Sequence, residues 1–251
     1  MKLRELLRII ESIQKKAGTS KPFLCGGVPR DVILDRANNL SDLDIATGDK
    51  TVHNLAKEVS ILLSKHFDFK TKIMDDGHIS IFFGNIKLDF SSNFTIPNIV
   101  EILQKLGIKN PTNLQREFFS RDFTCNSLLL SFDLERVLDP TGMGAKDIKN
   151  KIIRTNLPPE ITLTTNKNRV VRAIYLAAKL NFELEPSLME WIKKNPASIK
   201  ISSEHALQEK LDKAIEFDAD RTAYLLDQMG LWKYVPISEA LYPYYRKRLV
   251  V

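Results

Sequence analysis

The sequence predicts an α+β fold made of two domains, a head of mixed helices and strands over residues 1–157 and an all-α domain over residues 158–251. Up to about residue 155, short apolar strand-like segments alternate with amphipathic helical segments, whereas only helical periodicity follows. The change coincides with Leu157-Pro158-Pro159, and consecutive prolines disfavour helix and mark a boundary. With 251 residues, the chain is long enough for two domains that each bury a core.

The head begins with a helix, because apolar residues recur at helical spacing and charged residues lie between them. Alternating apolar residues on both sides of Gly84 predict a β-hairpin. The predicted strands are residues 22–25, 42–47, 78–83, 85–90 and 136–139, and the predicted helices are residues 1–16, 51–65, 99–106 and 113–119. A glycine-containing loop is expected to lead from the last strand to Ile152.

In the second domain, helical spacing of the apolar residues predicts four helices and a weaker one near the end of the chain. They cover residues 166–180, 186–194, 203–217 and 219–229. No repeat and no low-complexity tract interrupts them.

The composition is that of an ordinary globular protein, with 43% hydrophobic and 27% charged residues. No apolar run approaches the ~18 residues of a membrane span, and the N-terminus lacks the apolar stretch of a signal peptide. We therefore expect no membrane association and a cytoplasmic or other reducing location. Cys25 and Cys125 are expected to be buried free thiols, and the scattered histidines build no zinc site. A net charge of +6 is compatible with a polyanionic partner.

Two aspartates in the segment 42–47 are candidates for metal binding. Residues i and i+2 of a strand lie on one face, so Asp42 and Asp44 would project together. Paired carboxylates need a cation, and hard oxygen ligands without nearby His or Cys favour Mg²⁺. The alternative is that the pair belongs to a solvent-exposed strand edge or turn.

A second candidate site is the Gly26-Gly27 pair between a strand and a helix. Glycines let the backbone approach a phosphate closely, and Arg30 offers a forked pair of donors to phosphate oxygens. The alternative is an ordinary turn. Other nucleotide-binding motifs are absent, because no GxxxxGK[ST] occurs and Gly142-Met143-Gly144 lacks the third glycine of a dinucleotide fingerprint.

Several sequence blocks occur in an order that is specific to one family. They are GGVPRD at 26–31, SDLDIAT at 41–47, SRDFTCNSL at 120–128, LDPTG at 138–142 with DI at 147–148 and IIR at 152–154, and NRVVRAI at 168–174. Together they resemble the class II tRNA nucleotidyltransferase (CCA-adding enzyme) and bacterial poly(A) polymerase family of the polymerase β-like superfamily. The resemblance covers residues 20 to 235 and is more specific for the family than for the activity.

This resemblance implies a polymerase β-like nucleotidyltransferase head with a small mixed sheet, followed by a helical neck. The implied activity is template-independent addition of CMP and AMP to tRNA 3′ ends with two Mg²⁺ ions, held by Asp42 and Asp44. The implied partners are RNA, in particular the tRNA acceptor end, together with ATP and CTP. Three alternatives remain: a poly(A) polymerase, a compact nucleotidyltransferase that modifies another RNA or a protein, and a non-catalytic RNA-binding relic. Retention of both aspartates argues against the last.

The resemblance also assigns roles to individual residues. The expected phosphate ligands are Gly26, Gly27 and Arg30; the expected sugar contacts are Arg121, Asp122 and Asn126; the expected contacts to the base are Asn166, Arg169 and Arg172. Asp89 is a third carboxylate candidate that would help to orient the primer hydroxyl, or else a solvent-facing aspartate.

Two departures from the family pattern are visible. Thr165 and Asn166 stand where the family usually has Glu-Asp, so looser nucleotide selection is expected unless Asn166 is a helix cap. Family members commonly carry body and tail helices after the neck that grip the tRNA, whereas the resemblance here covers the head and neck only.

Overall fold

The computed structural model describes residues 3–37, 40–65, 69–73, 78–92, 96–201 and 203–249. They form two compact units, Met1–Ile148 and Lys149–Val251. The predicted domain boundary after residue 157 stays a prediction.

The first unit is built around a seven-stranded sheet. Its helices are α1 (Leu3–Ala17), α2 (Gly27–Ile33), α3 (Val52–Leu63), α4 (Ile99–Lys105), α5 (Asn113–Phe119) and α6 (Gly144–Lys149). Helix α6 ends one residue past the division between the units. A short 3-10 helix spans Thr124–Asn126. Its strands are β1 (Phe23–Cys25), β2 (Asp42–Ala46), β3 (Lys70–Ile73), β4 (Ile79–Phe83), β5 (Ile86–Phe90), β6 (Leu129–Leu130) and β7 (Val137–Leu138). The strand order is β3-β4-β5-β2-β1-β6-β7. The pair β2–β5 is parallel, and the other described pairs of this sheet are antiparallel.

Helices α1 and α3 cover one face of this sheet. The alternating side chains of β2 point Leu43 and Ile45 into a core that also contains Leu55 and Val59 of α3. All four are almost fully buried, and burial of each side chain stabilises the fold by ~1.5–3 kcal/mol. Because successive strand residues alternate between faces, this packing directs the aspartates of β2 to the other face.

The second unit is mainly helical. Its elements are β8 (Ile152–Ile153), α7 (Pro159–Thr165), α8 (Asn168–Leu180), β9 (Glu183–Leu184), α9 (Pro186–Lys194), α10 (Glu204–Phe217), α11 (Ala219–Gln228) and α12 (Tyr242–Leu249), with short 3-10 helices at Pro196–Ile199 and Trp232–Tyr234. Helix α8 is central and packs against α10 and α11. None of the helices in the described part of the chain combines the length and the apolar character that crossing a bilayer requires.

The α+β class, the hairpin around Gly84 and the main helices are confirmed. Several details differ from expectation, among them strands β3 and β6, which were not predicted. The predicted loop after β7 contains α6, and Pro159 begins α7 rather than separating helices, because proline is tolerated in the first helical turn. The helical unit also contains a two-residue parallel pair, in which Ile152 lies beside Glu183, and a strand of this length has no alternation to detect.

The segment between β7 and α6 is organised by one carboxylate. Asp139 Oδ1 accepts hydrogen bonds from the Gly142 amide at 2.9 Å and the Thr141 hydroxyl at 2.9 Å, and Asp139 Oδ2 accepts from the Ala145 amide at 3.1 Å. Asp139 therefore holds the turn and satisfies an amide in the first turn of α6.

We predict that Asp139→Ala lowers the free energy of unfolding of the first unit by about 1–2 kcal/mol, since the Ala145 amide loses its acceptor and the Gly142 amide keeps only the Asp139 carbonyl oxygen. Amide hydrogen exchange should accelerate most at Ala145. Asp139→Asn keeps one acceptor oxygen and should lose less than Asp139→Ala. Unchanged exchange at both amides in the alanine variant would contradict this account.

Candidate active site

Four charged side chains from two neighbouring strands share the sheet face that α1 and α3 leave uncovered. The parallel register of β2 and β5 places Asp42 beside Lys87 and Asp44 beside Asp89. Side chains of directly paired residues lie on the same face at short range. The expectation that Asp42 and Asp44 project together agrees with this register, and β5 adds a third carboxylate and an ammonium.

Lys87 contacts two of the three carboxylates, those of Asp42 and Asp89. Its Nζ atom lies 3.5 Å from Asp42 Oδ1 and also donates to Asp89 Oδ2. Partial burial lowers the pKa of Lys87, but the contacts with Asp89 and Asp42 outweigh it, so the pKa is raised. The ammonium therefore stays charged at neutral pH. The sequence alone does not single out Lys87, because its pairing with Asp42 depends on the strand register.

Asp89 is only 5% exposed, so the solvent-facing alternative is wrong. His78 Nε2 lies 3.4 Å from its Oδ1 atom. Burial raises the pKa of Asp89, but hydrogen bonds from His78, Lys87 and Ser80 outweigh burial and lower it to about 2. Asp89 is thus a buried carboxylate that stays ionised.

Asp44 lies directly against the Gly26 backbone. A Cβ atom at Gly26 would lie 2.1 Å from Asp44 Oδ2, and Gly26 has φ 70° and ψ −127°, a conformation open to glycine. Two independent requirements, backbone conformation and close approach, therefore demand glycine here. The Gly26 turn and the Asp44 strand, which the sequence separates by eighteen positions, form one site.

The charge of Asp44 is only partly compensated. Burial raises the pKa of Asp44; Arg121 lowers it, and the neighbouring charges of Asp89 and Asp42 raise it further, so that the net direction is upward. A carboxylate whose ionised form is disfavoured by burial and by like charges gains from a bound cation.

Arg121 is held in the protein interior. Its Nη2 atom donates to Glu117 Oε1 at 3.1 Å, and its guanidinium lies 4.5 Å from the centre of the Phe118 ring. Burial raises the pKa of nearby Cys25 to about 12, so Cys25 is a neutral thiol and adds no charge. These contacts make Arg121 a fixed positive charge near Asp44. Its predicted role at the sugar stays a prediction.

Arg30 connects two of the predicted nucleotide-binding segments. It is 3% exposed; its Nη1 atom donates to Asn126 Oδ1 at 2.6 Å and its Nε atom donates to Asp31 Oδ1 at 2.8 Å. The structure thus brings together Arg30 and Asn126, which lie ninety-six positions apart. The contact couples the segment after the glycine pair to the 3-10 turn at Asn126. The predicted phosphate contact of Arg30 stays a prediction.

The 3-10 turn at Asn126 rests on α6. The Thr124 hydroxyl donates to buried Asp147 Oδ2 at 2.7 Å, and a Cβ atom at Gly144 would lie 2.5 Å from the Thr124 carbonyl oxygen. Block 138–148 therefore supports the 3-10 turn of block 120–128, and the spacing of the two blocks along the sequence did not reveal this contact. Asp122 lies in the first block, is 9% exposed and accepts from the Phe123 amide at 2.8 Å.

The three candidate base contacts lie in the second unit. Arg169 is 7% exposed and its Nη1 atom donates to the Thr162 carbonyl at 2.8 Å and the Thr165 hydroxyl at 2.9 Å. Asn166 is exposed, and its Oδ1 atom accepts from the Asn168 amide at 2.9 Å, which favours the cap alternative. Arg172 is exposed on α8. Their contacts with a base stay predictions.

The donor set fits a divalent cation at Asp42 and Asp44. Both offer hard oxygen ligands, Asp42 is largely exposed, and Asp44 carries a poorly compensated charge. Within the described residues, no group of three or more His, Cys, Asp and Glu side chains converges on one point. Asp89 is also engaged by Lys87 and His78, and the role of Asp42 and Asp44 as metal ligands stays a prediction.

We predict that Gly26→Ala destabilises the protein by at least about 2 kcal/mol and displaces the Asp44 side chain, because both the backbone conformation and the space are lost. Gly18→Ala is the matched control, since Gly18 also has positive φ but no atom within 4 Å of an added Cβ. Urea unfolding of both variants and a crystal structure of Gly26→Ala provide the measurement. Equal losses in the two variants would show that contact with Asp44 contributes nothing.

Known proteins resemble this chain over most of its length. The chain is 26% identical over 235 residues to a CCA-adding enzyme of Geobacillus sp. (strain WCH70), covering 93% of this chain and 55% of that enzyme. It is 27% identical over 180 residues to an A-adding tRNA nucleotidyltransferase of Aquifex aeolicus (strain VF5), covering 69% of this chain and 20% of that enzyme. The chain thus spans about half, or less, of the length of these curated relatives.

The fold is also found in solved structures. A Bacillus stearothermophilus CCA-adding enzyme in complex with CTP matches 94% of this chain and 55% of that enzyme with a TM-score of 0.69 at 24% identity. A tRNA nucleotidyltransferase complexed with a primer tRNA and an incoming ATP analog matches 89% of this chain and 60% of that enzyme, with a TM-score of 0.65 at 25% identity. The family model for the poly A polymerase head domain matches residues 22–154, more than half of the chain. The chain belongs to the poly A polymerase head domain family.

Proposed function

We propose that this chain is a template-independent RNA nucleotidyltransferase that adds CMP and AMP to the 3′ end of tRNA. The observation that carries the proposal is the pair Asp42 and Asp44, directed to one sheet face and joined there to the Gly26 turn. Membership of the poly A polymerase head domain family and the similarity to CCA-adding enzymes support the choice of reaction and substrate.

Each part of the site has a proposed task in phosphoryl transfer. A divalent cation held by Asp42 and Asp44 would neutralise developing phosphate charge and activate the RNA 3′ hydroxyl. Our specific proposal is that two Mg²⁺ ions act here. The Gly26-Gly27 backbone would face the triphosphate, while the space that side chains would take at these two residues is filled by Asp44 and Arg30. Arg30 holds Asn126 in place through their hydrogen bond, and Asn126 would contact the sugar.

Asp89 and Arg121 complete the electrostatics. Asp89 stays ionised and would orient the primer hydroxyl toward the site, while Arg121 limits the repulsion among the carboxylates without occupying the ligand positions. Asp89 is buried, only 11% of the Arg121 side chain is exposed, and both are held by protein contacts, so neither needs to reorganise during the reaction.

We also propose that the enzyme works in a reducing compartment such as the cytoplasm. Cys25 and Cys125 are both free and buried, as expected from the sequence. Burial raises the pKa of each thiol to about 12. Neither thiol forms a disulfide, and the proposed mechanism does not use them.

The direct test of the proposed function is an extension assay with labelled nucleotides. Three tRNA transcripts would be compared, one lacking CCA, one lacking only the last adenosine and one complete, with CTP and ATP supplied singly and together. Addition of CMP and then AMP supports CCA addition. Addition of AMP alone to the second transcript would indicate an A-adding enzyme, and long A tracts on any RNA would indicate a poly(A) polymerase. Labelling of protein alone, or of nothing, would overturn the proposal.

In this assay we predict that Asp42→Asn and Asp44→Asn each reduce extension by about 10²–10⁴, because a metal ligand and its charge are lost. Glu101→Gln removes an exposed carboxylate from α4 and should leave the rate unchanged. Circular dichroism checks that each variant is folded. Near-wild-type extension by either aspartate variant contradicts the metal assignment.

We further predict that Asn166→Asp sharpens selection against UTP and GTP by about ten- to a hundredfold if residue 166 faces the base. A carboxylate accepts from the exocyclic amine of cytosine or adenine but repels an oxo group, whereas an amide presents either polarity. Incorporation of all four nucleotides by wild type and variant gives the measurement. If selection is already stringent and does not change, Asn166 acts only as the cap that its bond to Asn168 indicates.

A further inference from the structure

Two positive side chains face the carboxylates of the site, and they differ in mobility. Arg121 is held by Glu117 and by the Phe118 ring, with 11% of its side chain exposed. Lys87 has 36% of its side chain exposed and reaches its partners through a flexible four-carbon chain. Lys87 is therefore the cation that can leave the site without disrupting the core.

The position of Lys87 conflicts with a bound divalent cation. Its ammonium lies 3.5 Å from Asp42 Oδ1. The Asp42 carboxylate is one of the two proposed metal ligands. Asp42 is far more exposed than Asp89, so its carboxylate is the accessible one to which a cation from solution binds first. Metal entry at Asp42 requires the ammonium to move away or to remain close to a second positive ion.

We propose that Lys87 is an internal counter-ion that competes with the divalent cation for Asp42 and so makes tight metal binding depend on the nucleotide. This inference rests on the proposed function. Without nucleotide, Lys87 offsets part of the negative charge of Asp42 and Asp89, so a free cation gains less than it would without the ammonium. A triphosphate brings enough negative charge to accommodate both the ammonium and the metal, and it offers Lys87 new acceptors.

The expected size of the effect follows from Coulomb's law. A divalent and a monovalent cation roughly 6 Å apart repel enough, even at the dielectric constant of water, to weaken binding about tenfold. Such coupling is reciprocal, so the nucleotide strengthens metal binding by the same factor as the metal strengthens nucleotide binding.

The test measures Mn²⁺ affinity by electron paramagnetic resonance, with and without a non-hydrolysable ATP analogue, in wild type and in Lys87→Met. We expect Lys87→Met to bind Mn²⁺ about tenfold more tightly than wild type without the analogue, and the two affinities to converge when the analogue is present. Lys87→Gln repeats the test in case the methionine variant does not fold. Lys57→Met is the matched control: Lys57 is exposed on α3, which covers the opposite face of the sheet, and its removal should change the affinity less than twofold.

The outcomes separate this inference from the proposed function. Equal or weaker Mn²⁺ binding in both Lys87 variants without the analogue overturns the inference, as does an equal gain in Lys57→Met. Asp42→Asn should abolish the tight Mn²⁺ site in either case. Retention of that site in Asp42→Asn would instead overturn the assignment of the metal ligands, independently of Lys87.

Discussion

The parallel pairing of β2 with β5 is the constraint on which the site depends. It is the parallel step in a sheet whose other described pairs are antiparallel, and it brings Asp44 beside Asp89 and Asp42 beside Lys87. Concentrating three carboxylates on one small area is unfavourable in itself, because like charges repel at short range. The protein offsets this repulsion with Lys87 at the exposed side and with Arg121 in the interior.

The apolar core on the other face makes this pairing possible. Leu43 and Ile45 of β2, together with Leu88 and Phe90 of β5, pack under α1 and α3. Since strand residues alternate, a shift of β2 by one residue would bury the aspartates and expose the leucine and isoleucine. The packing energy of the core is thereby used to hold charged groups in an arrangement that they would not adopt by themselves.

Much of this could be predicted from the sequence, and the misses have identifiable causes. Alternation and helical periodicity predicted the hairpin, the main helices and the shared face of Asp42 and Asp44, because these are local patterns. The pairing of Lys87 with Asp42 and of Arg30 with Asn126 depends on strand register and on contacts between distant segments. Helix α6 was missed because a six-residue helix that begins with glycine has weak local propensity.

The structure adds protein contacts to residues whose roles were predicted from sequence resemblance. Arg30 is predicted to meet phosphate, which stays a prediction, and in the structure it is buried and bonded to Asn126 and Asp31. The resemblance alone singled out blocks 120–128 and 138–148. In the structure, the hydrogen bond from the Thr124 hydroxyl to Asp147 connects the two blocks. A sequence block can thus mark a residue that supports the site as readily as one that touches the substrate.

The contact between Asp44 and the Gly26 backbone has an entropic consequence. A carboxylate held against the main chain has fewer rotamers than one on an open strand, and ordering a free side chain on binding costs ~0.5–1.5 kcal/mol. Here that ordering takes place when the protein folds, so it would not add to the cost of binding the proposed cation. A variant that loosened the turn while keeping both aspartates would therefore bind that cation less tightly, although the proposed ligands would be unchanged.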